Sequence, residues 1–179
     1  GQWSQRLIQG HERLQREPLQ DAATWLSGYG DSLLLQSLEL AEMVAELRLD
    51  QSAVLAAMTY PGLRRSLFDE DGLQQRVGDQ AARLCVSVAT LATSSLLEVS
   101  DTPMLGGEEN RQVENIKRMM VSLIKDFRVA VIKLAERVQA LRYAKDYDEA
   151  RQQRIAREAA SVFAPLANRM GMWQLKWEL

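Results

Sequence analysis

The sequence predicts an all-α fold, a single domain over residues 1–179 built as a bundle of about nine or ten helices. In each clear pattern, apolar residues recur every three or four positions, which is the spacing of one helix face. No alternation typical of a β-strand extends beyond a few residues, and no internal repeat is present. Loops interrupt the periodic segments, so a compact bundle is expected rather than a long coiled-coil rod.

The first half of the chain contains helix signals in close succession. An apolar stripe predicts a helix that contains Leu40, Met43, Val44 and Leu47. Asp50 is a suitable N-cap for the next helix, which is expected to extend to about Tyr60. Because proline lacks a backbone N–H and glycine is a poor helix former, Pro61-Gly62 is expected to break that helix.

Two further helices are predicted to follow, each with an aspartate at its start. Asp69 is a candidate cap for a short helix that runs through Val77 and ends at Gly78. Asp79 is a candidate cap for the helix after it. The inward positions of that second helix are predicted to be Leu84, Cys85, Val88, Leu91 and Ala92.

The segment from Ser100 to Gly107 is rich in turn-forming residues and predicts a mobile loop. The longest periodic pattern follows, from Val113 to Leu141, and its centre at 129–132 is apolar on all sides, which indicates deep burial. Asp148 is a candidate cap for the next helix, with Ile155, Ala159 and Val162 inside. A last helix is expected between Pro165 and Gly171.

Composition and charge argue against several classes of function. The formal net charge is −2, whereas a nucleic-acid binder usually has a basic excess, so direct nucleic-acid binding is not expected. No long apolar run indicates a membrane span and no signal segment indicates secretion, so a cytoplasmic protein is expected. The single cysteine, Cys85, is predicted to be an unreactive core residue. The single histidine, His11, is predicted to be a solvated surface residue, so histidine-dependent catalysis is not expected.

Two stretches late in the chain carry a family resemblance. Residues 131–137 read Val-Ile-Lys-Leu-Ala-Glu-Arg, and residues 164–171 read Ala-Pro-Leu-Ala-Asn-Arg-Met-Gly. Both resemble the amino-terminal hydrolase domain of the RelA/SpoT family of (p)ppGpp synthetase-hydrolases, and the resemblance extends from about Ala41 to Leu179. It implies an HD-domain bundle of helices, in which the long periodic pattern is two helices that meet near Asp126.

The resemblance also implies where a metal-dependent active site would lie. In the family a first histidine, an adjacent His-Asp pair and a late aspartate bind a divalent ion such as Mn²⁺, which activates water to remove the 3′-pyrophosphate of (p)ppGpp. Counted back from Leu49-Asp50, the first histidine corresponds to Gln36. The His-Asp pair corresponds to Tyr60-Pro61, a neutral phenol followed by a side chain with no donor atom.

The other family positions differ as well. A Glu-Asp pair that assists the attacking water corresponds to Arg64-Arg65, and two guanidiniums repel a cation that two carboxylates would attract. The late aspartate corresponds to Glu136, whose additional methylene moves the carboxylate by roughly 1.5 Å. Ala140 and Tyr143 replace residues that help to hold the guanosine nucleotide, so the nucleotide pocket is expected to be altered.

These differences imply a hydrolase scaffold that has lost its catalytic site and binds neither a metal nor another cofactor. By resemblance, residues 1–179 are the N-terminal regulatory or structural domain of a RelA-type GTP diphosphokinase, truncated before the synthetase domain. The positions at which the family's catalytic residues are replaced, called the degenerate positions below, are Gln36, Tyr60, Pro61, Arg64, Arg65 and Glu136.

The resemblance further implies what the parent protein does. It is expected to transfer pyrophosphate from ATP to GTP or GDP in the bacterial stringent response, with Mg²⁺ in its synthetase domain. The expected partners are that synthetase domain and, through regions beyond Leu179, the ribosome and uncharged tRNA. An alternative is an allosteric module that binds a guanine nucleotide or (p)ppGpp without cleaving it, through Arg64, Arg65, Arg137 or Arg142.

Overall fold

The structure, a computed structural model, describes residues 2–95 and 126–158, together with residues 160, 164 and 171. Within these residues the regular elements are all helical and no strand is present, so the predicted all-α class is confirmed. The chain divides into two compact units, Gly1–Thr90 and Leu91–Leu179, hereafter the first and the second unit.

The first unit is a succession of helices joined by short connections. The helices are α1 (Gln2–Gly10), α2 (Arg16–Ser27), α3 (Asp31–Glu46), α4 (Gln51–Arg64), α5 (Glu70–Val77) and α6 (Asp79–Ser95), of which α6 continues past the end of the unit. α3 packs along α4, and α2 packs on both. α1 packs on α2, and α5 packs on α4. The predicted helix around Leu40 is confirmed as α3.

The core of the first unit is centred on α4. Each residue from Ala53 to Gly62 is buried, so α4 is covered on all sides and has no solvated face over this stretch. Its alanines allow close approach of α3, whose residues Leu40, Ala41 and Val44 have no exposed surface. Burial of apolar surface at about 25 cal/mol per Å² therefore holds α3 and α4 together.

Three aspartates cap the helices that the sequence assigned to them. Oδ1 of Asp50 accepts a hydrogen bond from the N–H of Ala53 at 3.1 Å, and Oδ1 of Asp69 accepts one from the N–H of Gly72 at 2.9 Å. In the second unit, Oδ1 of Asp148 accepts the N–H of the residue three positions later at 2.9 Å. Each carboxylate satisfies a backbone donor that the first turn leaves unpaired, so these three predictions are confirmed.

Asp79 does not cap α6, and that prediction was wrong. One residue, Gly78, separates α5 from α6, with a φ of 82°. Its carbonyl accepts the first hydrogen bond of α6, from the N–H of Ala82, so Gly78 occupies the capping position and Asp79 is already helical. The Asp79 carboxylate instead accepts a 2.6 Å hydrogen bond from the side-chain amide of Gln74 and pairs with Arg83 one turn later.

The predicted helix break at Pro61-Gly62 was also wrong, because α4 continues to Arg64. Pro61 removes one backbone hydrogen bond, at a local cost of about 3 kcal/mol in a helix interior. It lies in the last turn of α4, and both Pro61 and Gly62 are buried. Packing of this buried turn therefore outweighs the local preference to end the helix.

Gly62 has a specific packing role, since an aromatic ring lies directly against its backbone. A Cβ added at Gly62 would collide with ring atoms of Phe68. That ring is itself surrounded by aromatic side chains, with centroid distances of 4.5 Å to Trp25 and 5.8 Å to Tyr29. The end of α4 is thus fixed to α2 through a residue that has no side chain.

α3 and α4 end in the same hydrogen-bonded motif, in which a residue other than glycine is left-handed. The φ angle is 62° at Arg48 and 56° at Ser66. After α4, the N–H of Ser66 bonds to the carbonyl of Leu63 at 2.9 Å and the N–H of Leu67 bonds to the carbonyl of Gly62 at 3.1 Å. The same pair of bonds forms around Arg48. A side chain in this conformation costs about 1 kcal/mol relative to glycine.

The described part of the second unit contains α7 (Phe127–Arg142), a 3₁₀ turn (Ala144–Asp146) and α8 (Glu149–Glu158), which pack on one another. Oδ1 of Asp126 accepts the N–H of Arg128 at 3.0 Å and caps α7, which confirms the predicted helix boundary. The side-chain hydrogen bonds from Arg128 lower the pKa of Asp126. Residues 129–139 are all buried, as predicted for the centre of this pattern.

Some predictions lie outside the described residues. They are the loop at 100–107, the helical pattern before Asp126, the inward positions of Ala92, Ala159 and Val162, and the helix between Pro165 and Gly171. Gly171 itself has a φ of 69°, which favours glycine at a helix end. Among the helices of the described ranges, none is both long and apolar enough to cross a bilayer.

Replacing Ser66 by glycine is expected to raise the free energy of unfolding by about 0.5–1 kcal/mol, because glycine adopts a positive φ without steric cost. Denaturant-induced unfolding measures the change. The control is Ser87→Gly at an exposed helical position of α6, which is expected to lower the same free energy by about 0.5 kcal/mol. Destabilisation by both substitutions would contradict the proposed strain at Ser66.

Replacing Gly62 by alanine is expected to lower the free energy of unfolding by about 1–3 kcal/mol, because the new methyl group must displace the Phe68 ring. The same unfolding experiment measures it. Gly10→Ala is the control, since a Cβ there meets no atom within 4 Å, and its effect is expected to stay within about 0.5 kcal/mol. If Gly62→Ala and Gly10→Ala were equally stable, the Phe68 ring would not restrict the size of the residue at position 62.

Candidate functional site

Gln36 and Arg65, two of the degenerate positions, contact each other in the first unit. Gln36 lies in α3, and Arg65 directly follows the last residue of α4. Nη2 of Arg65 donates a 2.6 Å hydrogen bond to Oε1 of Gln36. A hydrogen bond from a charged donor is shorter and stronger than one between neutral groups. The side-chain oxygen of Gln36, which the resemblance assigns to the first ligand, is therefore bonded to a guanidinium.

Tyr60 and Pro61 lie in the buried part of α4, one turn before the two arginines. Tyr60 is 1% exposed, and Pro61 is buried beside it. The proline side chain has no donor atom, and the phenol of tyrosine is a neutral group at physiological pH. Residues four apart share a helix face, so Arg64 follows Tyr60 and Arg65 follows Pro61 on the same side of α4. The two positions that the resemblance assigns to the His-Asp pair thus precede two arginines on the same side of α4.

Arg64 and Arg65 are exposed at the C-terminal end of α4. The last carbonyl groups of a helix carry partial negative charge, which favours cations at this end. The left-handed residue Ser66 then turns the chain away from the helix axis. Both arginines therefore lie at the end of a buried helix, at the positions where the resemblance implies two carboxylates.

Glu136, which the resemblance assigns to the late ligand, belongs to a buried cluster of three charges on α7. Nζ of Lys133 donates to Oε2 of Glu136 at 2.8 Å. Nε of Arg137 donates to the same oxygen at 2.8 Å, and Nη2 of Arg137 donates to Oε1 at 2.5 Å. Both carboxylate oxygens are therefore held by cations from the same helix.

The burial of this cluster decides how strongly its members depend on one another. Lys133, Glu136 and Arg137 are 2%, 4% and 7% exposed. A charge withdrawn from water costs several kcal/mol unless it is paired, and breaking a buried pair costs about 3–5 kcal/mol. The carboxylate of Glu136 is thus the counter-ion of two buried cations.

The residues at these positions do not fit the divalent ion that the resemblance implies. The oxygens of Gln36 and Glu136 accept hydrogen bonds from cationic side chains, and Pro61 offers no ligand. Across residues 2–95 and 126–158, no three or more His, Cys, Asp or Glu side chains are grouped so that they could hold a metal.

The residues assigned to the nucleotide pocket lie at the end of α7. Ala140 and Tyr143 are half-buried, and Arg142 is exposed as the last helical residue. Nothing in their placement tests whether the pocket has changed, so the altered nucleotide pocket stays a prediction.

Sequence reasoning missed two groups of contacts. The first is the Lys133–Glu136 pair, for which the three-residue spacing on a helix was an available signal. The second is Arg13, whose Nε and Nη2 donate to the carbonyls of Leu49 at 2.8 Å and Ala45 at 2.5 Å. Arg13 thereby satisfies carbonyls at the end of α3, and no pattern in the sequence indicated this long-range contact.

The single histidine lies at the surface and the single cysteine lies in the core. His11 is partly exposed, and its Nδ1 lies 3.1 Å from Nη1 of Arg13. Burial, together with the charge of Arg13, lowers the pKa of His11. Cys85 is fully buried beside Thr59, and burial raises the pKa of its thiol to about 12. The prediction of an unreactive core cysteine is confirmed.

Comparison with known proteins agrees with the resemblance. A family model described as HD domain matches residues 6–173. GTP pyrophosphokinase of Escherichia coli strain K12 is 36% identical over 166 residues, which are 88% of this chain and 22% of that protein. GTP pyrophosphokinase of Myxococcus xanthus is 33% identical over 150 residues, 84% of this chain and 19% of that protein.

A third relative carries a hydrolase name. It is the probable guanosine-3′,5′-bis(diphosphate) 3′-pyrophosphohydrolase of Synechocystis sp., 29% identical over 150 residues, 84% of this chain and 19% of that protein. The chain thus spans about a fifth of the length of the curated relatives it matches. The similarity predicted from the motifs at 131–137 and 164–171 is confirmed, and the chain belongs to the HD domain family.

Proposed function

We propose that this chain is a catalytically inactive HD domain with a structural and regulatory role in a RelA-type GTP pyrophosphokinase. One observation supports the proposal best. The side-chain oxygens at two former ligand positions, Gln36 and Glu136, accept hydrogen bonds from the chain's own cations.

Metal-assisted phosphate chemistry explains why this observation matters. A divalent ion contributes to hydrolysis by polarising the substrate and by lowering the pKa of a bound water. It needs several anionic or imidazole ligands around one point. In this chain the carboxylate at Glu136 is neutralised by Lys133 and Arg137, and the former acidic pair is Arg64-Arg65. Within each unit, these positions therefore carry excess positive charge, whereas the chemistry requires negative charge.

The activity of the whole protein is part of the proposal, since the chain covers about a fifth of its relatives. Two of the relatives described above are named GTP pyrophosphokinase. We expect the parent protein to transfer pyrophosphate from ATP to the 3′ hydroxyl of GTP or GDP, in the cytoplasm and with Mg²⁺ in a separate synthetase domain.

The proposed role of this chain within the parent is to hold or restrain that synthetase domain. A tightly packed core supports a role that depends on shape, since residues 53–62 of α4 and 129–139 of α7 are buried throughout. The ribosome and uncharged tRNA are expected to bind other regions of the parent, and this chain is expected to bind neither a nucleic acid nor a membrane.

The purified chain is expected to release no GDP from ppGpp in the presence of millimolar Mn²⁺, because no complete ligand set is available for the ion. Chromatographic separation of the nucleotides after incubation measures this. The relative from Synechocystis sp., whose name is that of a hydrolase, is the positive control. Release of GDP that scales with the amount of chain and stops with EDTA would contradict the proposal.

The second candidate function is a module that binds a guanine nucleotide without cleaving it. One observation favours it: Arg64 and Arg65 are exposed side by side at the end of α4, and guanidiniums bind phosphate oxygens well. If the chain has only a structural role, as proposed first, Arg64 and Arg65 do not bind a ligand.

Calorimetry separates the two candidates. Titration with GDP, GTP or ppGpp at high micromolar concentration is expected to give no binding heat if the role is only structural. Binding that is lost in an Arg64→Ala/Arg65→Ala variant, and kept in Arg16→Ala at an exposed position of α2, would support the nucleotide-binding module instead.

A further inference from the structure

In the first unit, the connection between α1 and α2 is fastened to the connection between α3 and α4. Nε of Arg13 donates to the carbonyl of Leu49 at 2.8 Å, and Nη2 of Arg13 donates to the carbonyl of Ala45 at 2.5 Å. The N–H of Gln15 donates to Oε1 of Gln51 at 2.8 Å, and Nε2 of Gln51 donates to the carbonyl of Gln15 at 3.4 Å. These contacts, called the latch below, join segments that are far apart along the chain.

The remaining terminal nitrogen of Arg13 lies beside the only histidine of the chain. Nη1 of Arg13 is 3.1 Å from Nδ1 of His11. A guanidinium has only donors and stays protonated, so this contact is a hydrogen bond only while Nδ1 accepts. The imidazole is then neutral and carries its proton on Nε2. A second proton turns the accepting nitrogen into a donor that faces another donor. The protonation state of His11 therefore determines whether Arg13 keeps its third contact.

The charges near His11 oppose a positive imidazole. The guanidiniums of Arg13 and Arg48 act against the added charge, and the carboxylate of Glu46 favours it. Partial burial and the two guanidiniums together outweigh this carboxylate and lower the pKa of His11. The charged groups of this region within the described residues are Glu12, Arg13, Glu46, Arg48 and Asp50.

The far end of the latch is a turn with an unfavourable backbone conformation. Arg48 has a φ of 62°, in the left-handed region that favours glycine. The N–H of Arg48 donates to the carbonyl of Ala45 at 2.9 Å, and the same carbonyl accepts Nη2 of Arg13. The next carbonyl along the turn that Arg13 binds is that of Leu49. The guanidinium thus stabilises the turn after α3 as well as the connection after α1.

We propose that His11 is a proton-controlled release for the latch. With a neutral imidazole, Arg13 is held on both connections. With a protonated imidazole, the hydrogen bond to Arg13 is lost and two positive charges face each other, so the connection after α1 loosens from the turn after α3. Since α1 packs on α2 and is followed by this connection, its attachment loosens too. The proposal concerns the first unit alone and does not depend on the proposed function.

The direction of the pH effect follows from the lowered pKa of His11. Such an imidazole contributes stability above its unfolded pKa of about 6.5, and the contribution is lost as the pH falls below that value. The latch is therefore expected to be closed at about pH 7.5 and loosened at about pH 5.5. Because His11 is the only histidine and ordinary carboxylates titrate near pH 4, this interval reports mainly on one side chain.

Thermal unfolding of the chain and of His11→Asn tests this pH dependence. The amide oxygen of asparagine is attached to Cγ, as Nδ1 of histidine is, so it can accept from Arg13 but cannot gain a proton. Between about pH 7.5 and 5.5, the Tm of the unchanged chain is expected to fall by about 1–3 °C more than that of His11→Asn. Equal decreases would overturn the proposal.

Hydrogen exchange at a single pH separates local release from a general loss of stability. His11→Lys, which is permanently charged and has no acceptor, is compared with His11→Asn at about pH 7. The amides of Leu14 and Arg48, each bonded at 2.9 Å to the carbonyls of His11 and Ala45, are expected to exchange about three- to tenfold faster in His11→Lys. Ser66, left-handed in the same motif after α4, is the control, and its amide is expected to exchange equally in both variants. Equal rates at Leu14 and Arg48, or the same increase at Ser66, would overturn local release.

A double-variant comparison tests whether the effect of His11 passes through Arg13. In an Arg13→Gln background, His11→Lys and His11→Asn are expected to exchange the Leu14 and Arg48 amides at equal rates, because the guanidinium that His11 controls is absent. Arg16→Gln, the same change at an exposed position of α2, is the control background and is expected to keep the difference. A difference that persists with Arg13→Gln would overturn the role of Arg13.

Discussion

The carboxylate of Glu136 is almost completely withdrawn from water, and the described part of the second unit depends on how it is neutralised. Lys133 and Arg137 are buried with it on α7 and occupy both of its oxygens. Each of the three charges is stabilised by the others at this depth, because the desolvation of an unpaired ion costs several kcal/mol. The cluster therefore fixes the conformation of three side chains in the helix that carries the strongest family motif.

A metal site and this cluster solve the same electrostatic problem in opposite ways. A divalent ion gathers carboxylates that would otherwise repel one another, and the fold supplies the negative charge. Here the fold supplies the positive charge as ammonium and guanidinium groups, at Glu136 and again where Arg65 meets Gln36. The carboxylate of Glu136 is therefore neutralised by side chains of its own helix.

Burial around α4 shows how tertiary packing overrides local preference. Pro61 and Gly62 together favour a helix end, yet α4 continues beyond both. The reason lies outside the helix, because the Phe68 ring packs on Gly62 and both α2 and α3 pack on α4. The helix ends instead where Ser66 adopts a left-handed conformation and two backbone bonds close the last turn.

The sequence by itself determined the all-helical class, the capped helix starts at Asp50, Asp69 and Asp148, and the membership of the HD domain family. These features depend on spacing and on contacts within one helical turn, so a linear pattern contains them. The tertiary structure alone decided that α4 passes through Pro61 and that Arg65 bonds to Gln36. The first feature depends on packing around α4, and the second depends on two residues that are far apart along the chain. Such contacts contribute to stability only after the helices have packed together, so a linear pattern does not reveal them.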